Sequence, residues 1–104
     1  MTLRPLLVRR THCLSRAEVR GRLEQAARRA QEDHHVAWFW RDGTMEVHPP
    51  PGLADGARGR VFVGDGDLSV ELVLPLRFGP ARCAIESRLA SKLEDLLRVE
   101  SVHP

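Results

Sequence analysis

Residues 58–74, RGRVFVGDGDLSVELVL, constrain the fold more than any other stretch of this chain. The segment reads as a β-hairpin. Asp65-Gly66 is a two-residue turn of the kind that suits type I′, because Asp and Gly tolerate positive φ. Folding about that turn sets Val63 opposite Leu68, Phe62 opposite Ser69, Val61 opposite Val70 and Arg60 opposite Glu71. Strand side chains alternate between faces. One face is then Val61, Val63, Leu68, Val70, Leu72 and Leu74, with no polar group. The other is Arg60, Phe62, Ser69, Glu71 and Val73. The apolar face must be covered, and the rest of the chain is its cover.

Before the hairpin, Leu3 to His12 reads as a first strand. Pro5 near its start suits an edge position. Its Leu6-Leu7-Val8 run leaves open which face points inward. Leu14-Ser15-Arg16-Ala17-Glu18-Val19 then fits a capping box with a hydrophobic staple: Ser15 accepts from the Glu18 amide, Glu18 reaches back, and Leu14 packs on Val19. A helix is expected from there to about His34. Its apolar stripe is Val19, Leu23, Ala26, Ala27 and Ala30, a small-residue face able to lie close to a sheet. Gly21 sits inside it at some cost in propensity. His34 and His35 end it, where positive character is favoured.

Val36 to Pro49 reads as a second hairpin about Asp42-Gly43. Its inner face is Val36, Trp38, Trp40, Met45 and Val47, with the Trp pair expected to anchor the core. Its outer face is Ala37, Phe39, Arg41, Thr44, Glu46 and His48. Pro49-Pro50-Pro51-Gly52 stops the strand, and Leu53 to Ala57 completes a stiff loop. That loop reads as a spacer rather than as a ligand for a proline-binding partner. After the central hairpin, Pro80 suits a first helical turn. From Ala81 to about Val99 a helical period returns, with Ile85, Leu89, Leu93, Leu96 and Leu97 on one face. Glu94 to Arg98 is an attractive spacing and Arg88 to Lys92 a repulsive one.

The order is β-α-β-β-β-β-α. Successive strands joined by tight turns make an antiparallel meander. One apolar face per strand and two amphipathic helices give an α+β two-layer sandwich: an antiparallel sheet with both helices packed on one face and the first strand beside the last. At 104 residues the chain is expected to form a single domain. Its hydrophobic content of 42% and charged content of 29% are ordinary for a water-soluble fold.

Charge and composition narrow the function classes. The net charge of +2 gives no strong attraction to polyanions. Residues 1–35 carry +4 and residues 36–104 carry −2. Fifteen of the sixteen basic residues are Arg, which reflects codon bias in a GC-rich genome rather than a choice of phosphate forks. The Arg-rich first helix with Arg9 and Arg10 could grip phosphates, but the aromatics on strands mostly point inward and offer no base-stacking platform. Nucleic-acid binding is not expected. No apolar run approaches a membrane span, and Leu-Leu-Val is too short for a signal-peptide core. Two cysteines, Cys13 and Cys83, suggest no disulfide framework, so a reducing cytoplasm is the expected location.

Candidate chemistry is sparse. His12-Cys13 lacks any metal-ligand spacing, and no metal or other cofactor is expected. Ser15 is explained by its cap. Glu46 and Glu71 form a possible carboxylate pair, but both lie on the outer face, and Arg60 is the simpler cross-strand partner for Glu71. The glycine-rich runs 56–59 and 64–67 lead into no helix and are turns. No set of residues meets the roles of an active site, so the protein is expected not to be an enzyme. The outer sheet face stands out instead. Phe39, Phe62 and Val73 lie there with Arg60, a candidate contact surface for a partner, a second subunit or a hydrophobic surface. The alternative is a small hydrophobic-ligand module, with helices standing off the sheet over a cavity lined by Trp38, Trp40 and Leu72.

Several stretches taken together resemble a small bacterial family, the polyhydroxyalkanoic acid system proteins found with polyhydroxyalkanoate granule genes. These are Arg9-Arg10-Thr11-His12-Cys13-Leu14, the helix that follows, Trp40 leading into Asp42-Gly43, and Gly59 with its short strand. Leu72 to Glu86 and Lys92 to Leu97 complete the match. Cys13 stands where the family pattern leads one to expect Ser, and the Pro49 to Gly56 insertion is longer than usual. The resemblance implies a non-enzymatic accessory protein linked to storage-granule synthesis, mobilisation or coating. Its partners would be the granule surface or granule proteins, with a homodimer a further possibility. It brings no catalytic residues to this chain.

Overall fold

A computed structural model describes residues 4–50, 52 and 56–98. Leu3, Pro51, Leu53 to Asp55 and Val99, which carry the ends of three expected segments, lie outside them. The strands are β1 (Leu6–Thr11), β2 (Ala37–Arg41), β3 (Thr44–His48), β4 (Arg58–Val63) and β5 (Asp67–Val73), and the helices are α1 (Arg16–His34) and α2 (Arg82–Leu97). They form one antiparallel sheet in the order β1-β5-β4-β3-β2. The first strand lies beside the last, as expected. The central register is also the one the alternation dictates: Val63↔Leu68, Phe62↔Ser69, Val61↔Val70 and Arg60↔Glu71.

Inward-pointing residues build the core. Leu6 and Val8 of β1, Met45 of β3, Val61 of β4, and Leu68 and Val70 of β5 are buried with Val19, Leu23 and Ala27 of α1 and Leu93 and Leu97 of α2. The structure resolves the ambiguity of the Leu6-Leu7-Val8 run. Leu6 and Val8 face the helices, and Leu7 is 64% exposed on the other side. Helix α2 runs along β1, and α1 packs across β4 and β2.

The start of α1 follows half of the expected capping box. Ser15 Oγ accepts the Glu18 N–H at 3.1 Å. Glu18 does not reach back. Its carboxylate instead accepts from Arg22 Nε at 3.1 Å, one turn on, because the opposite charge is the stronger partner. Helix α1 ends with His35 in the left-handed region (φ 57°), its N–H bonded to the Gln31 carbonyl at 3.1 Å. Residues 76–81 form a 3-10 helix holding Pro80, so α2 begins one residue later than the apolar period suggested. At its far end Arg98 pairs with Asp95 at 2.9 Å, and Glu94 reaches Arg10 of β1 at 3.5 Å. The expected Glu94–Arg98 pair is replaced because β1 lies beside that face of α2.

The two hairpin turns differ. Asp42 (φ 51°) and Gly43 (φ 79°) are both left-handed, the type I′ pattern. Neither Asp65 nor Gly66 has positive φ, so the central turn is not the type I′ turn its residues suggest. It is held by tertiary bonds: His12 N–H donates to the Gly66 carbonyl at 3.0 Å, Arg16 meets Asp65 at 2.7 Å, and Arg9 pairs with Asp67. Nothing lies within 4 Å of a Cβ placed on Gly43, so its requirement is purely conformational. Gly43→Val is therefore expected to cost about 1–2 kcal/mol from the left-handed backbone alone. An unchanged urea midpoint would contradict a type I′ turn there.

Candidate contact surface

Helices cover one face of the sheet, and the outer face carries the candidate residues. Cross-strand pairing arranges it in rows. One row runs Leu7 (β1), Glu71 (β5), Arg60 (β4), Glu46 (β3) and Phe39 (β2). The next runs Arg9, Ser69, Phe62, Thr44 and Arg41. Arg60 thus stands at the centre of the face between two carboxylates. Phe39 and Phe62 lie on strands either side of β3 and in neighbouring rows, each 38% exposed. Val73 is half-buried at the other end of β5, opposite Arg58 and diagonal to Leu7. The apolar groups therefore do not form one continuous patch. They flank a Glu71-Arg60-Glu46 charge ladder, with Leu7 and Val73 on one side and Phe39 and Phe62 on the other.

Phe39 is partly clothed by its own hairpin. The His48 ring stacks on it at 5.7 Å between centroids and 9° between planes. The Arg41 guanidinium lies 5.3 Å from its centroid, within cation–π range. Arg41 also pairs with Glu46 at 3.3 Å, and the Glu46 side chain is only 12% exposed. The ion pairs formed on this face among the described residues are thus Arg41–Glu46 and, at its far corner, Arg9–Asp67. The expected Arg60–Glu71 pair is in register, but no ion pair between them forms among the described residues. Leu7, the most exposed large apolar side chain described, was not legible as part of this surface. Three consecutive apolar residues conceal the alternation that would have placed it.

The residues of the alternative reading sit on the helix-covered face. Trp38, Trp40 and Leu72 are half-buried and pack against the core. Trp38 Nε1 donates to Gln31 at 3.0 Å and Trp40 Nε1 to Glu24 at 2.9 Å. The Arg20 guanidinium lies 4.2 Å from the Trp40 ring centroid. The Trp pair is therefore a seam between the edge strand and α1 rather than the centre of the core, since β2 is the last strand of the sheet. These bonds, with Val19, Leu23 and Ala27 buried beneath, seat α1 on the sheet instead of standing it off. A shallow pocket of about 240 Å³ opens where α1 meets the β2–β3 turn, lined by Arg16, Arg20, Asp42, Gly43, Thr44, Phe62 and Val63. Trp38, Trp40 and Leu72 do not line it.

Of the residues suited to chemistry, His12, Ser15 and Glu46 have structural partners. His12 Nδ1 accepts the Leu14 N–H at 3.1 Å, shaping the turn from β1 into α1 and leaving Nε2 buried without a hydrogen-bond partner. Cys13 and Cys83 are both exposed. Among the described residues no three His, Cys, Asp or Glu side chains converge as metal ligands. None of the described helices is long and apolar enough to cross a membrane.

The class defined by these features is an α+β domain with two helices on one face of an open five-stranded antiparallel sheet and a mixed apolar and charged opposite face. The chain belongs to the family described as putative polyhydroxyalkanoic acid system protein, whose model matches residues 6–97. That span runs from the first residue of β1 to the last of α2. No curated protein and no solved structure matches the chain.

Proposed function

We propose that this protein is a non-enzymatic accessory protein of polyhydroxyalkanoate storage-granule metabolism. It acts in the cytoplasm, without a cofactor, by granule-surface or protein contacts through the outer sheet face, and as a homodimer. The observation that carries this reading is the uncovered outer face of a sheet from a family linked by name to polyhydroxyalkanoic acid systems. Leu7, Phe39 and Phe62 stay exposed there around Arg60. Such a face suits a polyester surface: exposed rings and Leu7 meet apolar side groups, and guanidinium N–H groups donate to ester carbonyls. Support for a non-enzymatic role comes from the work already assigned to Ser15, His12 and Glu46, which cap a helix, shape a turn and hold Arg41.

The test is co-sedimentation of the purified protein with native polyhydroxyalkanoate granules, beside a folded Phe39→Ser, Phe62→Ser double variant. Wild type is expected to pellet, and the variant to bind about tenfold or more weakly, given the apolar area removed. Wild type remaining in the supernatant would remove direct coating as the mechanism and leave a protein partner.

A further inference from the structure

β2 is the last strand of the sheet, and its outer edge has no strand partner among the described residues. The closing pair of a two-residue hairpin exchanges both backbone hydrogen bonds, and such pairs alternate along antiparallel strands. Arg41↔Thr44 closes the β2–β3 turn, so Phe39↔Glu46 and Ala37↔His48 are also bonded pairs. The N–H and C=O groups of Trp38 and Trp40 consequently point away from β3, toward the edge. Among the described residues no side chain caps them.

The opposite edge of the sheet is partly protected. By the same alternation, with His12 N–H bonded to Gly66 O, the outward groups of β1 and its lead-in belong to Pro5, Leu7, Arg9 and Thr11. Pro5 has no N–H, and its carbonyl accepts from Arg82 at 3.4 Å. The Arg9 carbonyl accepts from Arg10 Nη1 at 2.8 Å. Proline and side-chain caps of this kind protect sheet edges. Among the described residues the β2 edge has neither, so β1 on β2 would meet a proline and two carbonyls already engaged, whereas a closed two-fold pairing of β2 with itself gives both Trp residues backbone partners.

The sequence of β2 identifies the occupant. Trp38-Phe39-Trp40 is palindromic about Phe39. Pairing antiparallel with a second copy sets Phe39 against its own counterpart on the two-fold axis and Trp38 opposite Trp40 on both sides. Four backbone hydrogen bonds join the copies, from the four outward-pointing Trp residues. Aromatic cross-strand pairs are the stabilising kind.

We propose that the protein forms a homodimer through antiparallel β2–β2 pairing about Phe39, giving a continuous ten-stranded sheet with four helices on one face. This rests on and deepens the homodimer part of the functional reading, and it shares Phe39 with the granule contact, so the dimer is tested in solution without granules. Failure to dimerise leaves the granule test untouched, and failure to co-sediment leaves the dimer untouched.

Sedimentation velocity of the whole chain over a wide concentration range is the first arm. A species of twice 11.7 kDa is expected, and Phe39→Lys, which sets two ammonium groups face to face, is expected to weaken it at least about tenfold. The second arm does not depend on that variant folding. In a Cys13→Ser, Cys83→Ser background, Phe39→Cys places two thiols on a non-bonded cross-strand pair, about 4.5 Å between Cα atoms and within disulfide reach. Oxidation is expected to cross-link Phe39→Cys and not Phe62→Cys. A wild type that stays monomeric throughout, or equal cross-linking at both positions, would overturn the pairing.

Discussion

Leu68→Ala is expected to cost about 3–5 kcal/mol in a urea unfolding experiment, the range for a fully buried leucine whose cavity cannot collapse. Leu68 is 0% exposed and sits on β5, flanked by Val63 of β4 and Arg10 of β1. Its neighbours on the same face, Val8, Val61 and Val70, are stiff β-branched residues in a hydrogen-bonded sheet, so little can move to fill the void. A domain of this size commonly has only about 5–15 kcal/mol in total, so the variant is close to the limit of folding. Phe62→Ala on the neighbouring strand is the control. Its ring points to the outer face, and its loss is expected to cost less than about 1 kcal/mol. Comparable losses at the two positions would mean that the face assignment is wrong.

The second large effect is expected at Arg22. Its Nη1 donates to the Leu96 and Arg98 carbonyls, both at 2.8 Å, while Nε holds Glu18. One guanidinium on α1 thus satisfies the end of α2, where the last carbonyls have no partner within the helix. Arg22→Ala leaves these acceptors to water and unties two helices that otherwise touch little. A loss of about 2–3 kcal/mol is expected, since each lost bond had a charged donor and one acceptor is half-buried. Hydrogen exchange should show the last turn of α2 freed first, and Arg22→Lys should restore less than half of the loss. A single ammonium lacks the planar fork that serves three acceptors. Unchanged exchange at 93–98 would show that α2 needs no such tie.

Fold and register were largely legible because β structure records its geometry in a period of two. Phe62 and Val61 could be sent to opposite faces from the sequence, and Asp42-Gly43 fixed the partner of every residue in β2 and β3. The outer-face residues Phe39, Phe62, Val73 and Arg60 were placed on that face for the same reason. Their spacing across the face was not legible. It depends on strand order and on diagonal offsets between strands, which no single hairpin specifies.

The remaining differences arise where a residue's partner is distant in the chain. Asp65-Gly66 has the local chemistry of a type I′ turn, yet His12, Arg16 and Arg9 hold it in another conformation. Glu94 was spaced for Arg98 and found Arg10. The tryptophans read as a core anchor became an edge seam because strand order put β2 last.

Alternating side chains and turn residues by themselves determined the strands, their pairing within each hairpin and the apolar face that had to be covered, because these are local and periodic properties. Tertiary structure alone decided that Leu7 faces outward, that Arg22 ties the helices, and that arginine side chains engage the Pro5 and Arg9 carbonyls at one sheet edge. Each of those depends on groups brought together from separate parts of the chain, and local propensity carries no record of them.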